Sequence, residues 1–170
     1  LVQGSIMLIS QPIWVKIINK IGKKNGYYLA SISWGLGALS WMLVTPGESE
    51  MGIIIRGVFL GIGAGGLLLV GQSMLPDTMQ YDFQTSGYRR EGILAGVYTT
   101  VEKLSFAIGP SILGILLGYV DYDALSNSQS ESVINMMYFN AGGFPVICLF
   151  ISCLLITAYN VDQQSLGKNN

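Results

Sequence analysis

The sequence contains no histidine and only two cysteines, and both shortages exclude kinds of chemistry. Without histidine the chain lacks the commonest general base and a principal ligand of zinc. Cys148 and Cys153 lie five residues apart inside an apolar run, which is typical of apolar filler and not of a disulfide framework. No nucleophile–base pair or metal cluster is visible either. We therefore predict that the chain is not an enzyme and holds no metal or cofactor.

Charged residues are also scarce. They make up 11% of the chain, against about 25% in an average soluble domain, while 51% of the residues are hydrophobic. Ten acidic and nine basic side chains are too few to cover the surface of a soluble domain of 170 residues. The formal net charge of −1 provides no basic field, so we expect no nucleic-acid partner.

The few charges are clustered and leave long apolar runs between them. Residues 25–47, 57–76 and 132–161 contain no charge at all, and a bilayer-spanning helix needs about 20 apolar residues. Two further apolar segments bring the prediction to five spans, at about 1–15, 26–45, 51–75, 92–120 and 134–159. The runs are continuous and two to three times too long for the strands of a membrane barrel. The sequence therefore predicts an all-α, polytopic transmembrane bundle whose first partner is the lipid bilayer.

The first span is the shortest, since 15 residues at 1.5 Å give about 22 Å, less than the roughly 30 Å of a hydrocarbon core. The chain begins with Leu1, and no basic segment precedes the apolar stretch, which argues against a signal peptide. We expect the chain to be a fragment of a longer protein that starts within a helix.

The connecting segments differ in charge from one side of the bundle to the other. All six loop bases fall in the segments at about 16–25 and 76–91, whereas the segments near 45–51 and 121–131 carry acids only. Basic loops stay in the cytoplasm, so this asymmetry predicts an orientation. Lys24 and Arg90 should be cytoplasmic, together with the tail at 160–170, and Glu48 and Ser126 should be external.

Lys103 is the most informative polar residue within a predicted span. It lies 11 residues beyond Gly92, which is about 16 Å along the helix and near the bilayer centre. A charge at that depth costs on the order of 2.5–3.5 kcal/mol. Small and polar residues recur around it at three- and four-residue steps and form one stripe: Gly92, Gly96, Thr99, Thr100, Ala107, Pro110, Ser111, Gly114 and Gly118. Lys103 is therefore expected to face neighbouring helices or a cavity, as a substrate or ion site or as half of a structural ion pair.

Other polar residues within the spans carry weaker signals. Glu102 is about 100° from Lys103 around the helix, so structural pairing and function are both open for it. Gln72 lies near the inner end of the third span, and Arg56 near its outer end is expected to extend to the interface. The GxxxG spacings that start at Gly57, Gly61 and Gly114 indicate close helix packing.

A family resemblance becomes visible in the third loop and the fourth span. The segments that carry it are Pro76-Asp77-Thr78-Met79-Gln80-Tyr81, Gly87-Tyr88-Arg89-Arg90-Glu91-Gly92, Glu102-Lys103-Leu104 and Ala107-Ile108-Gly109. They resemble the glycoside–pentoside–hexuronide:cation symporters, the melibiose-carrier branch of the major facilitator superfamily. The segment Asn19-Lys20-x-Gly22-Lys23-Lys24 resembles a cytoplasmic loop motif of that superfamily, with Asn19 where Asp is usual. The resemblance implies that the spans are helices 8 to 12 of twelve, and that the amino-terminal half is a missing partner.

The resemblance further implies cation-coupled symport of a sugar or glycoside by alternating access, in a bacterial inner membrane. The coupling cation would be Na⁺ or H⁺, or Li⁺. The candidate substrate and coupling residues are Lys103, Glu102, Gln72 and Thr99. The candidate cytoplasmic gate comprises Asp77, Tyr81, Arg89 and Glu91. Leu68 stands where the melibiose branch has a sugar-stacking aromatic, which implies a different sugar or a different stacking residue.

The alternative function is a carrier of lipid or of another organic solute with the same fold. A channel is disfavoured because no repeated pore ring or filter is visible in the sequence.

Overall fold

The computed structural model describes residues 1–45, 47–126, 128–159 and 161. Six α-helices follow one another: α1 (Val2–Ile21), α2 (Lys23–Leu39), α3 (Glu50–Ser86), α4 (Glu91–Tyr119), α5 (Glu131–Tyr138) and α6 (Phe144–Leu155). A π-turn, Phe139–Gly143, joins α5 to α6, and 3₁₀ turns follow α2 and α6 at Ser40–Leu43 and Ile156–Ala158. The described residues contain no strand, which agrees with the all-α class that the sequence predicts.

Three helices in the described part of the chain are long and apolar enough to cross a membrane: Glu50–Ser86, Glu91–Tyr119 and Glu131–Ala158. They overlap the third, fourth and fifth predicted spans. Of the other two, α2 has only 17 residues, and α1 carries Lys16 and Lys20 in its second half. The first two spans therefore stay predictions.

The helices continue further than the predicted spans. The segment at 16–25 was expected to be a loop, but α1 runs through Lys16 and Lys20 to Ile21, and Gly22 alone separates it from α2. Likewise α3 passes Pro76 and ends at Ser86, within the loop expected at 76–91. A charge or a proline limits how much of a helix lies in lipid, but the helix itself can extend into the water phase. The predicted tail at 160–170 lies outside the described residues, apart from Val161.

Glycines of α3 allow α1 and α2 to pack closely against it. A Cβ built on Gly61 would lie 2.7 Å from the carbonyl oxygen of Gln3, and one on Gly65 would lie 2.7 Å from that of Met7. The packing role expected from the Gly61/Gly65 spacing is thus confirmed. By contrast, apart from the adjoining backbone of α4 itself, Gly114 and Gly118 have no described atom within 4 Å of such a Cβ.

The core lies where α1, α2 and α3 meet. Its buried side chains are Trp14, Ile18, Ala30, Val70 and Met74. The indole Nε1 of Trp14 donates a hydrogen bond to the carbonyl oxygen of Ile62 at 2.8 Å, which satisfies the one polar atom of a buried tryptophan. This contact fixes α1 to the middle of α3.

A second seam joins α2 to α6. Leu149 packs at Gly35, and a Cβ on Gly142 in the π-turn would lie 2.7 Å from the carbonyl oxygen of Ala38. The hydroxyl groups of Tyr27 and Ser152 are hydrogen bonded at 2.5 Å. In contrast, α4 has no buried residue among the described part of the chain.

Contacts between the helix ends divide the bundle into two sides. At one end, which we call the inner end, the α1–α2 junction contacts the carboxyl-terminal part of α3 and the residues after α6. At the other end Arg56 forms an ion pair of 2.8 Å with Glu48, so that Arg56 is held by a carboxylate beside the turn before α3. The basic segments predicted to be cytoplasmic therefore share one end of the bundle.

We expect a single cysteine at Lys20 to resist an impermeant thiol reagent added outside cells, and one at Ser126 to react. Both positions are exposed, so accessibility of the side chain does not limit either reaction. Cys148 and Cys153 are replaced by Ser in the background. Labelling at Lys20 without labelling at Ser126 would reverse the orientation.

Candidate functional site: a groove on α4 and an ion-paired inner end

A groove runs along one side of α4 in the first half of the helix, from Ala95 to Leu104. It is a shallow, open groove of about 620 Å³, lined by Ala95, Gly96, Thr99, Thr100, Lys103 and Leu104. The single methyl group of Ala95 and the lack of a side chain at Gly96 leave the space, and Lys103 and Thr99 supply polar groups. The structure therefore brings together two of the four predicted substrate and coupling residues, Lys103 and Thr99, on one face.

The other two residues of that group lie elsewhere. Glu102 is half-buried and does not line the groove, as expected for a residue about 100° away around the helix. Gln72 is exposed on α3 and is also absent from the lining. Leu68 is exposed on α3 as well, at 43%. The described residues thus form one wall of a candidate site.

The electrostatics of the groove are simple. Lys103 is exposed and forms no ion pair within the described part of the chain. The hydroxyl of Thr100 donates to the carbonyl oxygen of Gly96 at 2.8 Å and is therefore tied to its own helix. An ammonium at the middle of an apolar helix needs a polar partner or water in a membrane. The groove is consequently a place where a polar solute or a carboxylate would be stabilised.

The inner end contains a buried ion pair that the sequence analysis did not anticipate. Asp77 is 7% exposed and accepts a hydrogen bond from the Lys23 ammonium, which also donates to the carbonyl oxygen of Ser73 at 2.7 Å. These contacts join the start of α2 to α3. Asp77, predicted as a gate residue, is therefore held inside the fold by Lys23.

The next lysine connects the same junction to the end of the last helix. Lys24 donates to the carbonyl oxygens of Thr157 at 2.7 Å and Tyr159 at 3.2 Å. Tyr159 follows the helical segment that ends at Ala158, and burial, together with the Asp77 carboxylate, raises the pKa of its phenol to about 12. The phenol is therefore neutral at physiological pH. Lys23 and Lys24 thus tie three chain segments together at the inner end.

The turn between α3 and α4 is held by two consecutive arginines. Gly87 ends α3 in the left-handed conformation, with a φ of 73° that favours glycine. Arg90 forms a two-pronged ion pair with Asp82, with Nε–Oδ2 and Nη2–Oδ1 distances of 3.0 and 2.5 Å. The Arg89 guanidinium lies 5.1 Å from the centre of the Phe83 ring. This turn fixes the start of α4 relative to α3.

The four predicted gate residues are thus placed differently. Asp77 is buried, whereas Tyr81, Arg89 and Glu91 are exposed. Lys23, Asp82 and Arg90 were not chosen from the sequence as site residues. The eight-residue spacing of Asp82 and Arg90 across Gly87 is a signal for their pairing, but the pairing of Lys23 with Asp77 spans 54 residues and has no local signal.

We expect Asp77→Asn and Lys23→Met each to lower the stability of the purified protein by about 3 kcal/mol, because each leaves a mostly buried charge without its partner. The double variant should lose less than the sum of the two. Thermal unfolding of all four proteins, the parent included, measures this coupling. Strict additivity would show that the pair contributes nothing.

The helices, the lysine within an apolar helix and the basic inner end together define an integral, multi-pass membrane protein. The profile of the family described as MFS/sugar transport protein matches residues 3–163. The chain belongs to this family. The match confirms the resemblance that the motifs around Asp77 and Lys103 indicate.

Individual relatives agree with this assignment. The chain is 32% identical over 117 residues to an uncharacterized symporter of Synechocystis, a match that covers 68% of the chain and 21% of the relative. It is 26% identical to an isoprimeverose transporter of Lactiplantibacillus pentosus, with 85% of the chain and 30% of the relative covered. It is 27% identical to a glucuronide carrier protein homolog of Escherichia coli, with 94% and 34% covered. These relatives are bacterial and are named as transporters or symporters, which confirms a non-enzymatic family.

The chain spans between about a fifth and a third of the length of these curated relatives.

Proposed function

We propose that the chain is part of a secondary transporter that carries a sugar or glycoside together with a cation, Na⁺ or H⁺. The observation that carries the proposal is the groove on α4, where Lys103 and Thr99 line a space beside small residues within an apolar helix. The chain belongs to a family of sugar transport proteins, and this supports a role for the groove in transport. Two of the relatives are named for isoprimeverose and for glucuronide, which supports a glycoside as substrate class.

The substrate site would lie between this chain and further helices of a longer protein. Transporters of this kind place their site near the bilayer midplane between two repeats that rock against each other. The groove on α4 has one described wall, and Lys103 lies about 18 Å along α4 from its first residue, Glu91, so it fits such a midplane site. Lys103 and Thr99 would contact the solute, with Gln72 and Glu102 as further candidates from α3 and α4. A carboxylate that binds the cation would be the partner of the lysine.

The inner end would act as the cytoplasmic gate. Asp77, Tyr81, Arg89 and Glu91 lie at this end with Lys23, and ion pairs that exist in only one conformation bias the equilibrium between conformations. A difference of a few kcal/mol is enough to shift the populations. The exposed side chains of Arg89 and Glu91 are available for contacts with the rest of the longer protein.

Counterflow in proteoliposomes tests the substrate class. Vesicles that contain the full-length protein are loaded with unlabelled glycoside and diluted into radiolabelled glycoside, in the presence or absence of Na⁺ or of a proton gradient. We expect transient accumulation of the label that requires the internal sugar. Counterflow of a lysolipid without counterflow of any glycoside would establish the alternative, a lipid carrier of the same fold.

A further inference from the structure

One stripe of α1 is exposed along its whole length and changes from apolar to basic. Ile9 and Ile13 are 68% and 59% exposed, and Lys16 and Lys20 follow them at three- and four-residue steps, also exposed. These four residues share one face of the helix. The buried residues Trp14 and Ile18 lie on the opposite face, against the core. The stripe therefore points away from the helices that pack on α1.

The four lysines near the inner end divide into two pairs with different surroundings. Lys23 and Lys24 donate to Asp77, Ser73, Thr157 and Tyr159 inside the fold. Lys16 and Lys20 form no ion pair or side-chain hydrogen bond with any residue that the structure describes. Their Cα atoms are four residues, and therefore about 6 Å of helix rise, apart. Two neighbouring cations without a partner among the described residues are thus displayed at the basic end of the bundle.

We propose that this stripe binds an anionic phospholipid of the inner leaflet, with the headgroup phosphate at Lys16 and Lys20 and an acyl chain along Ile13 and Ile9. Charge complementarity supports this occupant, because basic residues next to a membrane segment attract acidic lipid headgroups. The order of residues supports it too, since the lysines lie on the side of the isoleucines that is nearer the basic inner end. Long lysine side chains reach the headgroup layer while their methylene stems stay on apolar surface.

An acidic loop of the longer protein would match the two lysines but not the isoleucines that continue the same stripe, and a further helix that covered the whole stripe is an outcome that the test below detects. A lipid matches both, because its charge and its chain are joined in that order. The lipid proposal does not depend on which solute is transported. Lipid binding can therefore fail while the proposed transport holds, and transport can fail while lipid binding holds.

The test is a titration of phosphatidylglycerol into the full-length protein, purified in micelles of detergent and phosphatidylcholine, with thermal unfolding and binding of a fluorescent phosphatidylglycerol as readouts. Each lysine near an anionic surface accounts for about a fivefold change in affinity. We therefore expect Lys16→Gln/Lys20→Gln to weaken phosphatidylglycerol binding roughly 30-fold. Its unfolding temperature in pure phosphatidylcholine should equal that of the parent.

Lys23→Gln/Lys24→Gln is the matched control, since it removes the same charge from the same segment. It should unfold at a lower temperature in either lipid and keep the stabilisation that phosphatidylglycerol adds. Lys16→Arg/Lys20→Arg should restore binding. The proposal is overturned if Lys16→Gln/Lys20→Gln keeps the parental affinity for phosphatidylglycerol. It is also overturned if, in phosphatidylcholine alone, that variant unfolds below the parent by as much as it does with phosphatidylglycerol. That result would mean that another part of the protein covers the stripe.

Discussion

Replacing Lys103 by Leu is expected to abolish cation-driven accumulation of the solute while the protein still reaches the membrane. The variant removes an unpaired ammonium from an apolar helix, so its insertion should be easier than that of the parent. A charge-assisted hydrogen bond contributes about 1.5–3 kcal/mol, and its loss weakens solute binding about 10- to 150-fold. Loss of the competition between lysine and cation for a carboxylate would remove coupling as well.

Lys103→Arg should also fail, because the planar guanidinium does not replace a compact ammonium in a groove lined by Gly96 and Thr99. Surface expression and accumulation are measured together for both variants. Ser105→Ala is the matched control, since its hydroxyl donates to the carbonyl of Val101 and does not line the groove. If Lys103→Leu accumulates solute like the parent at equal expression, the lysine is structural and the assignment of the groove is wrong.

Replacing Gly63 by Ala is expected to disrupt the fold more than the same replacement at any other glycine of α3. A Cβ at this position would lie 2.4 Å from the backbone nitrogen and 2.5 Å from the Cα of Trp34 on α2. Because the obstacle is backbone, no rotamer change relieves the clash and the two helices must separate. Overpacking of this kind costs typically 1–3 kcal/mol, and we expect about 3 kcal/mol or loss of folded protein.

Gly71→Ala in the same helix provides the control. Apart from the adjoining backbone of α3 itself, no described atom lies within 4 Å of a Cβ there, so the change should be neutral or should stabilise α3 by up to about 1 kcal/mol through helix propensity. Thermal unfolding in detergent compares the two variants. Equal unfolding temperatures would show that α2 and α3 do not pack through Gly63.

Much of the fold could be predicted because apolar runs and charge clusters are local properties of the chain. The runs at 57–76 and 132–161 predict α3 and the helical segment Glu131–Ala158, since a membrane helix must satisfy its own backbone hydrogen bonds. Boundaries were less predictable. Lys16 and Pro76 mark where apolar sequence ends, yet both lie within helices that extend beyond the apolar part.

The candidate site divides in the same way. The 3.6-residue period alone places Lys103 and Thr99 on one face, and in the structure both line one groove. The sequence could not place Lys23 beside Asp77, because that contact joins residues 54 apart through the packing of α2 on α3. Nor could the sequence show that Lys23 and Lys24 are bound inside the fold while Lys16 and Lys20 are exposed, because all four lysines lie in the same basic segment.

The sequence by itself therefore determined the membrane class of this protein, its family, and the face of α4 that carries the lysine, because each depends on the order of residues along a single helix. Only the tertiary structure decided which glycines of α3 pack against α1 and α2, which charges are paired and which stripe of α1 stays exposed. The physical reason is that these properties depend on how helices cross, and a crossing is set by side chains that are far apart in the chain.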